Sequence, residues 1–197
     1  MPLSLIKTNS IAAGNITSAL ITSVANTAIV GRIATAQQPT GTVLQTVTAN
    51  KTDTFSTTNW TMVDVTGLSV TLTPRDANSR FLILYKVVAS NNYYATYINL
   101  VRNGTAIALP DAAGSRARVT SQYALDQTQS NAHGFVHHHN LSYVDTPATT
   151  SSITYKIQVS GRDGGYVTYI NKAVPDRDTT EYDVRHTSFI TVLEIAG

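Results

Sequence analysis

Cysteine is absent from this sequence. That excludes a disulfide framework and a thiolate metal site, so cohesion must come from packing or from association between chains. Charge is also scarce: Asp, Glu, Lys and Arg make up 13% of the chain, against roughly 25% in an ordinary globular protein. A net charge of +2 with scattered lysine and arginine gives no basic stripe, which argues against nucleic acid as a partner. No apolar run approaches the roughly 18 to 20 residues of a membrane span, so no membrane insertion is expected. The N-terminus also lacks the basic start, apolar core and processing site of a secretory signal. No Gly-x-Ser-x-Gly elbow precedes a helix and no paired carboxylates stand on an identifiable groove. The expectation is a protein that is not an enzyme and needs no cofactor.

The 197 residues, 42% of them apolar, are enough for one sizeable core and an appendage. Threonine, serine and asparagine are abundant, so the surface is polar mainly through hydroxyls and amides. Threonine fits a pleated face and loses side-chain freedom in a helix, and the composition therefore favours an all-β fold. The clearest strand is Ile153 to Ser160, where Ile153, Tyr155, Ile157 and Val159 alternate with Thr154, Lys156, Gln158 and Ser160. Leu141 to Val144 precedes it across a turn-forming segment from Asp145 to Ser151. Together they predict a hairpin with one wet face.

Residues 1–40 differ from the rest. Lys7 and Arg32 are the only charges before Lys51, and no aromatic precedes Phe55. Ile16, Leu20, Ile21 and Val24 fall at helical spacing behind Asn15, a plausible N-cap, and Ile11, Ile29 and Ile33 add isolated apolar anchors. Such a stripe cannot bury itself, so the segment reads as an attachment arm ahead of a domain covering 41–197.

Within that domain, Val43 to Thr48 begins a strand and Phe55 to Val63 an irregular second one. Val65, Leu68, Val70 and Leu72 run up to Pro74, which ends pairing. Phe81 to Ala89 and Phe189 to Ile195 are apolar at nearly every position, the mark of strands covered on both faces. Asn103 and Gly104 give the best two-residue hairpin signal. Leu109 to Ser130 reads as a long loop with one short ordered piece. Some eight strands, with a terminal strand too apolar for an edge, describe an antiparallel β-sandwich of the jelly-roll kind with an extended, partly helical N-terminal arm.

The domain resembles a C-terminal domain of structural proteins of tailed bacteriophages, of the marine and cyanobacterial type. The residues that carry the likeness are Gly41 to Gln45, Lys51 to Ser56, Leu68 to Pro74, Leu100 to Thr105, Asp145 to Thr150 and Thr191 to Ala196. The resemblance implies a homotrimeric jelly roll of tumour-necrosis-factor or C1q shape in the virion, assembled in the host cytoplasm. As a tail-fibre or tail-associated subunit, it would be held to other virion proteins by the arm and would expose the jelly roll to a host surface glycan or protein. The alternative is a capsid decoration or cement protein that staples the head shell.

Three side-chain groups are candidate sites. His137 and His139 share one strand face, opposite His138 and downstream of His133. In phage fibres a His-x-His step can point into a three-fold axis, where three chains ligate iron, zinc or nickel; otherwise this is a strand that tolerates histidine. Tyr93, Tyr94 and Tyr97, beside Asn91 and Asn92, could stack on sugar rings, although tyrosines at strand spacing more often pack across strands. Asp176, Asp178, Glu181 and Asp183 could bind calcium, but the glycine and spacing of a calcium loop are missing, and Arg177 and Arg185 are close enough to neutralise them.

Overall fold

A computed structural model describes residues 38–92, 95–124, 136–162, 165–180 and 183–197. The expected helix and the anchors Ile11, Ile16, Leu20, Ile21, Val24, Ile29 and Ile33 lie outside these residues, as do Tyr93, Tyr94, His133 and Glu181. The described residues contain eleven strands and no helix. In chain order they are β1 (Val43–Lys51), β2 (Phe55–Thr57), β3 (Val63–Leu72), β4 (Arg80–Asn91), β5 (Ala95–Arg102), β6 (Thr105–Ile107), β7 (Ser121–Ala124), β8 (His137–Asp145), β9 (Ile153–Gly161), β10 (Thr168–Ile170) and β11 (Ser188–Ile195).

Two antiparallel sheets result. Sheet A runs β1-β11-β4-β10-β2, with β8 along the other edge of β4; sheet B runs β3-β9-β5-β6, with β7 also on β5. Register shows that several strands are pieces of interrupted lines. β10 and β11 pair with successive parts of the same edge of β4, while β1 and β2 pair with β11 and β10 in turn. Likewise β6 and β7 share the edge of β5 that faces away from β9. Each sheet is therefore four lines wide: β1/β2, β10/β11, β4 and β8 in one, β3, β9, β5 and β6/β7 in the other.

The core lies between the sheets. Phe81, Ile83, Tyr85 and Val87 of β4 meet Leu68 and Val70 of β3, Ile98 and Leu100 of β5, and Tyr155 and Ile157 of β9. The period-2 pattern accounts for this, because every second residue of each strand turns inward. Asn103 and Gly104 have φ of 47° and 88°, so the predicted two-residue turn joins β5 to β6. The terminal strand is internal, as its apolar sequence requires, with β1 on one side and β4 on the other.

The hairpin expected between Leu141–Val144 and Ile153–Ser160 does not form. β8 pairs with β4, and β9 pairs with β3 and β5, so the Asp145–Ser151 segment crosses from one sheet to the other. Alternation marks which face of a strand is buried, and both strands do bury one; the buried faces belong to opposite sheets. The second strand expected from Phe55 to Val63 is instead β2, an open stretch over 58–62 and the first residue of β3. Strands β4 and β11 are fully covered only on the inner face for most of their length: outward-facing Leu82, Leu84, Phe189, Leu193 and Ile195 remain half-buried.

Asn171 mends the break between β10 and β11. Its amide donates to the carbonyls of Lys51 and Asp53 at 2.9 Å each and accepts from Ser188 Oγ at 2.6 Å, with the side chain fully buried. It thereby also spans the gap between β1 and β2. Its φ of 64° is the left-handed region that asparagine tolerates. The intervening segment is tied off by the His186 amide donating to the Asn171 carbonyl.

Candidate functional site

The register gives the sandwich two distinct poles. At one, Val43, Ile195, Arg80 and Asp145 come together, and the Gly41 amide donates to the Ala196 carbonyl. Buried Glu194 locks this pole by accepting from Gln45 Nε2 (2.5 Å), the Arg75 amide (2.6 Å) and Ser79 Oγ (2.7 Å). Asp145 ties the two sheets together here. It accepts from Arg102 Nη1 at 2.7 and 2.8 Å and from the Tyr155 hydroxyl at 2.7 Å.

The opposite pole carries the connection over 58–62 together with Asn92 and residues 165–167. They are knitted together. The Gly161 amide donates to the Asn59 carbonyl, Asn92 and Val167 exchange backbone and side-chain hydrogen bonds, and Asn91 Nδ2 donates to Thr168 Oγ1. On this frame Trp60 is 69% exposed. A large indole held in water by a braced loop gains nothing for the core and is suited to contact with another surface. The sequence reading placed Trp60 inside an irregular strand and missed it, because its exposure depends on the break after β2.

Just inside this pole, His137 and His139 face the space between the sheets, as their alternation predicts. His139 Nδ1 lies 2.7 Å from Ser121 Oγ, and His137 stacks on Tyr123. The Nε2 atoms of both rings are buried without a partner. Burial, reinforced by His137 and His138, pushes the His139 pKa down to about 4; burial and then His138 lower that of His137. Both rings are thus turned into their own sandwich, and His138, on the outer face, packs edge-on against His186. Among the described residues no group of three His, Asp or Glu side chains is placed to hold a metal.

Tyr97 lies on the outer face of sheet B, opposite Ser160 and Gln122, half-buried as a cross-strand neighbour. Two acids of this segment are neutralised within it: Asp176 pairs with Lys172 and Arg185, and Asp183 accepts from the Arg177 amide and guanidinium. Hydrogen bonding from Arg185, ahead of that from Lys172, lowers the Asp176 pKa.

The two outer faces differ in character. Sheet B shows Asp64, Ser69, Thr71, Thr154, Lys156 and Gln158 to solvent, with Lys156 and Gln158 both donating to Asp64. The two middle lines of sheet A show Leu82, Leu84, Phe189, Leu193 and Ile195 beside Arg80, Lys86 and Thr191, and its edge lines carry Thr46, Thr48, Asn50, His138, Asn140 and Ser142, with Val43 and Val144 each about half exposed. An antiparallel sheet that ends in water carries polar residues outward, as sheet B does. The middle lines of sheet A do so only in part.

No family model matches the chain, and no curated protein matches it by sequence. Among solved structures it is similar to the VP2 subviral particle of infectious bursal disease virus, at 14% identity over 78% of this chain and 33% of that one, with a TM-score of 0.40. It is also similar to a structure of the Gx strain of that virus, at 16% identity over 78% of this chain and 32% of that one, with a TM-score of 0.35. The chain spans about a third of the length of these proteins.

Proposed function

We propose that this protein is a virion structural subunit, a homotrimer of jelly rolls fixed to the particle by residues 1–40 and turning its loop pole toward the host. Numbered as eight lines in chain order, the sheets read 1-8-3-6 and 2-7-4-5. That order supports the jelly roll, in which two Greek keys wrap one sandwich. The observation that carries the reading is the opposition of the poles: the chain comes in from the arm beside Ala196, while Trp60 stands at the far end. A subunit gripped by one end and making contact with the other has this layout. The leucines on the outer face of sheet A support association, since a second copy would bury them and the charge on that face is limited to Arg80 and Lys86. A tail-fibre or tail-associated position agrees with the resemblance to tailed-phage structural proteins. Exposed Trp60, with half-buried Tyr97, is the aromatic contact assigned here to a glycan or protein receptor.

Two experiments test this. Gold-labelled antibody on intact particles is expected to mark the tail; label spread over the head shell would replace the fibre reading with that of a capsid decoration protein. Deleting residues 1–40 is expected to leave a folded trimer that no longer joins the particle, and normal incorporation would overturn the attachment role.

A further inference from the structure

The four edges of the two sheets are not equally protected. An edge strand exposes unpaired backbone donors and acceptors, and proteins blunt it with bulges, short strands, lysine or proline. β1 has a bulge between Val43 and Gln45 and is broken before β2, and β3 has one between Asp64 and Ser69, where Gly67 takes a φ of 87°. The remaining edge of sheet B is cut into β6 and β7, of three and four residues. β8 has none of these devices. It runs nine residues in unbroken register with β4, contains no lysine, proline or glycine, and among the described residues pairs on one side only.

Beside this open edge lies a groove of about 760 Å³ between β8 and the segment that follows β6. Its walls are mainly apolar, with Ile107, Leu109, Val119, Leu141 and Tyr143 among them, and two guanidinium groups also line it. Arg102 spends only Nη1 on Asp145, leaving Nε and Nη2 without acceptors among the described residues. Arg118 donates Nε to the Pro110 carbonyl and makes no ion pair there. Asp145 is the one carboxylate in the lining, already holding three hydrogen bonds. The groove therefore carries a surplus of positive charge with unused donors.

We infer that β8 and this groove form a docking site for an extended acidic segment of a partner protein, which adds a strand to sheet A. The added strand pairs its backbone with β8, and its alternate side chains enter the groove, as in β-strand addition generally. Apolar side chains rest against Ile107 and Leu141, while a carboxylate reaches Arg118 and the free face of Arg102, where bidentate geometry favours it. The arm of a second copy fits less well, because residues 1–37 contain no acid. The inference does not depend on where the protein sits in a particle.

The test uses the full-length protein and a fluorescein-labelled nine-residue peptide with valine and glutamate in turn at its odd positions and threonine at its even ones, so that one face carries both, followed by fluorescence anisotropy. Saturable binding is expected. Kd should rise at least tenfold with Arg118→Glu, or when lysine replaces glutamate in the peptide, and Arg118→Lys should recover part of the loss. N-methylation of the alternate peptide nitrogens that face β8 removes the pairing donors and is expected to abolish binding, while methylation of the other set is not. Absence of binding, equal binding of the lysine peptide, or binding left unchanged by N-methylation of both alternate sets, each tested in turn, would overturn the proposal. Arg118 is exposed, so its substitution leaves the core intact; an unchanged thermal unfolding midpoint checks this.

Discussion

At His139 a single ring couples the far pole to pH. Because its pKa is held near 4 in the folded chain against an ordinary 6.5, the unfolded chain takes up the proton first as pH falls. Stability contributed by the neutral, buried ring is complete above about pH 6.5, declines between there and pH 4, and does not decline further below. A shift of this size corresponds to on the order of 3 kcal/mol. His137 and His186, both lowered first by burial, act in the same direction. Urea midpoints measured from pH 7 to pH 4 should fall, and His139→Gln should flatten much of that slope; an unchanged slope would show that the ring is not the source. Glu194 makes the complementary case at the other pole. Glu194→Ala strands three donors, among them the buried Ser79 hydroxyl, and is expected to cost roughly 3 kcal/mol or more in denaturant unfolding. Glu194→Gln retains one acceptor and should cost less.

Among the elements, the interrupted lines of sheet A depend on Asn171. Asn171→Gly keeps the left-handed backbone but removes three hydrogen bonds, two of them buried, with an expected loss of about 2 to 4 kcal/mol. Hydrogen exchange should then accelerate at the ends of β1, β2 and β11 together, since one side chain serves all three; acceleration at one end alone would contradict that role. Gly104→Ala places a methyl group at a φ of 88° and should cost about 1 kcal/mol, read as a lower thermal midpoint. This turn was legible in advance because Asn-Gly is the local chemistry of a two-residue hairpin. The partners of β8 and β9 were not. Alternation at Ile153 to Ser160 identified a strand and its buried face, but a seven-residue connection can either fold back within a sheet or cross to the other. Competition with β4, β3 and β5 decided between them.

For the molecule as a whole, the unlike outer faces of the two sheets matter most. If the protein is the homotrimer proposed above and sheet A is the contact between its copies, Leu84→Asp and Leu193→Asp should lower its light-scattering mass to that of a monomer while circular dichroism stays strand-rich; an oligomer that survives both changes would remove sheet A from the interface. Mutating Lys156 on the polar face of sheet B should leave the assembly unchanged. The sequence by itself determined the all-β character, the inward faces of the strands, the Asn103–Gly104 turn and the internal place of the last strand. Each of these follows from the preferences of residues a few positions apart. Which strands pair, where Trp60 and Arg118 stand, and how Asn171 and Glu194 are buried came only from the folded chain, because distant stretches compete there for the same edges and the same core, those meeting at Asn171 and Glu194 lying more than 100 positions apart.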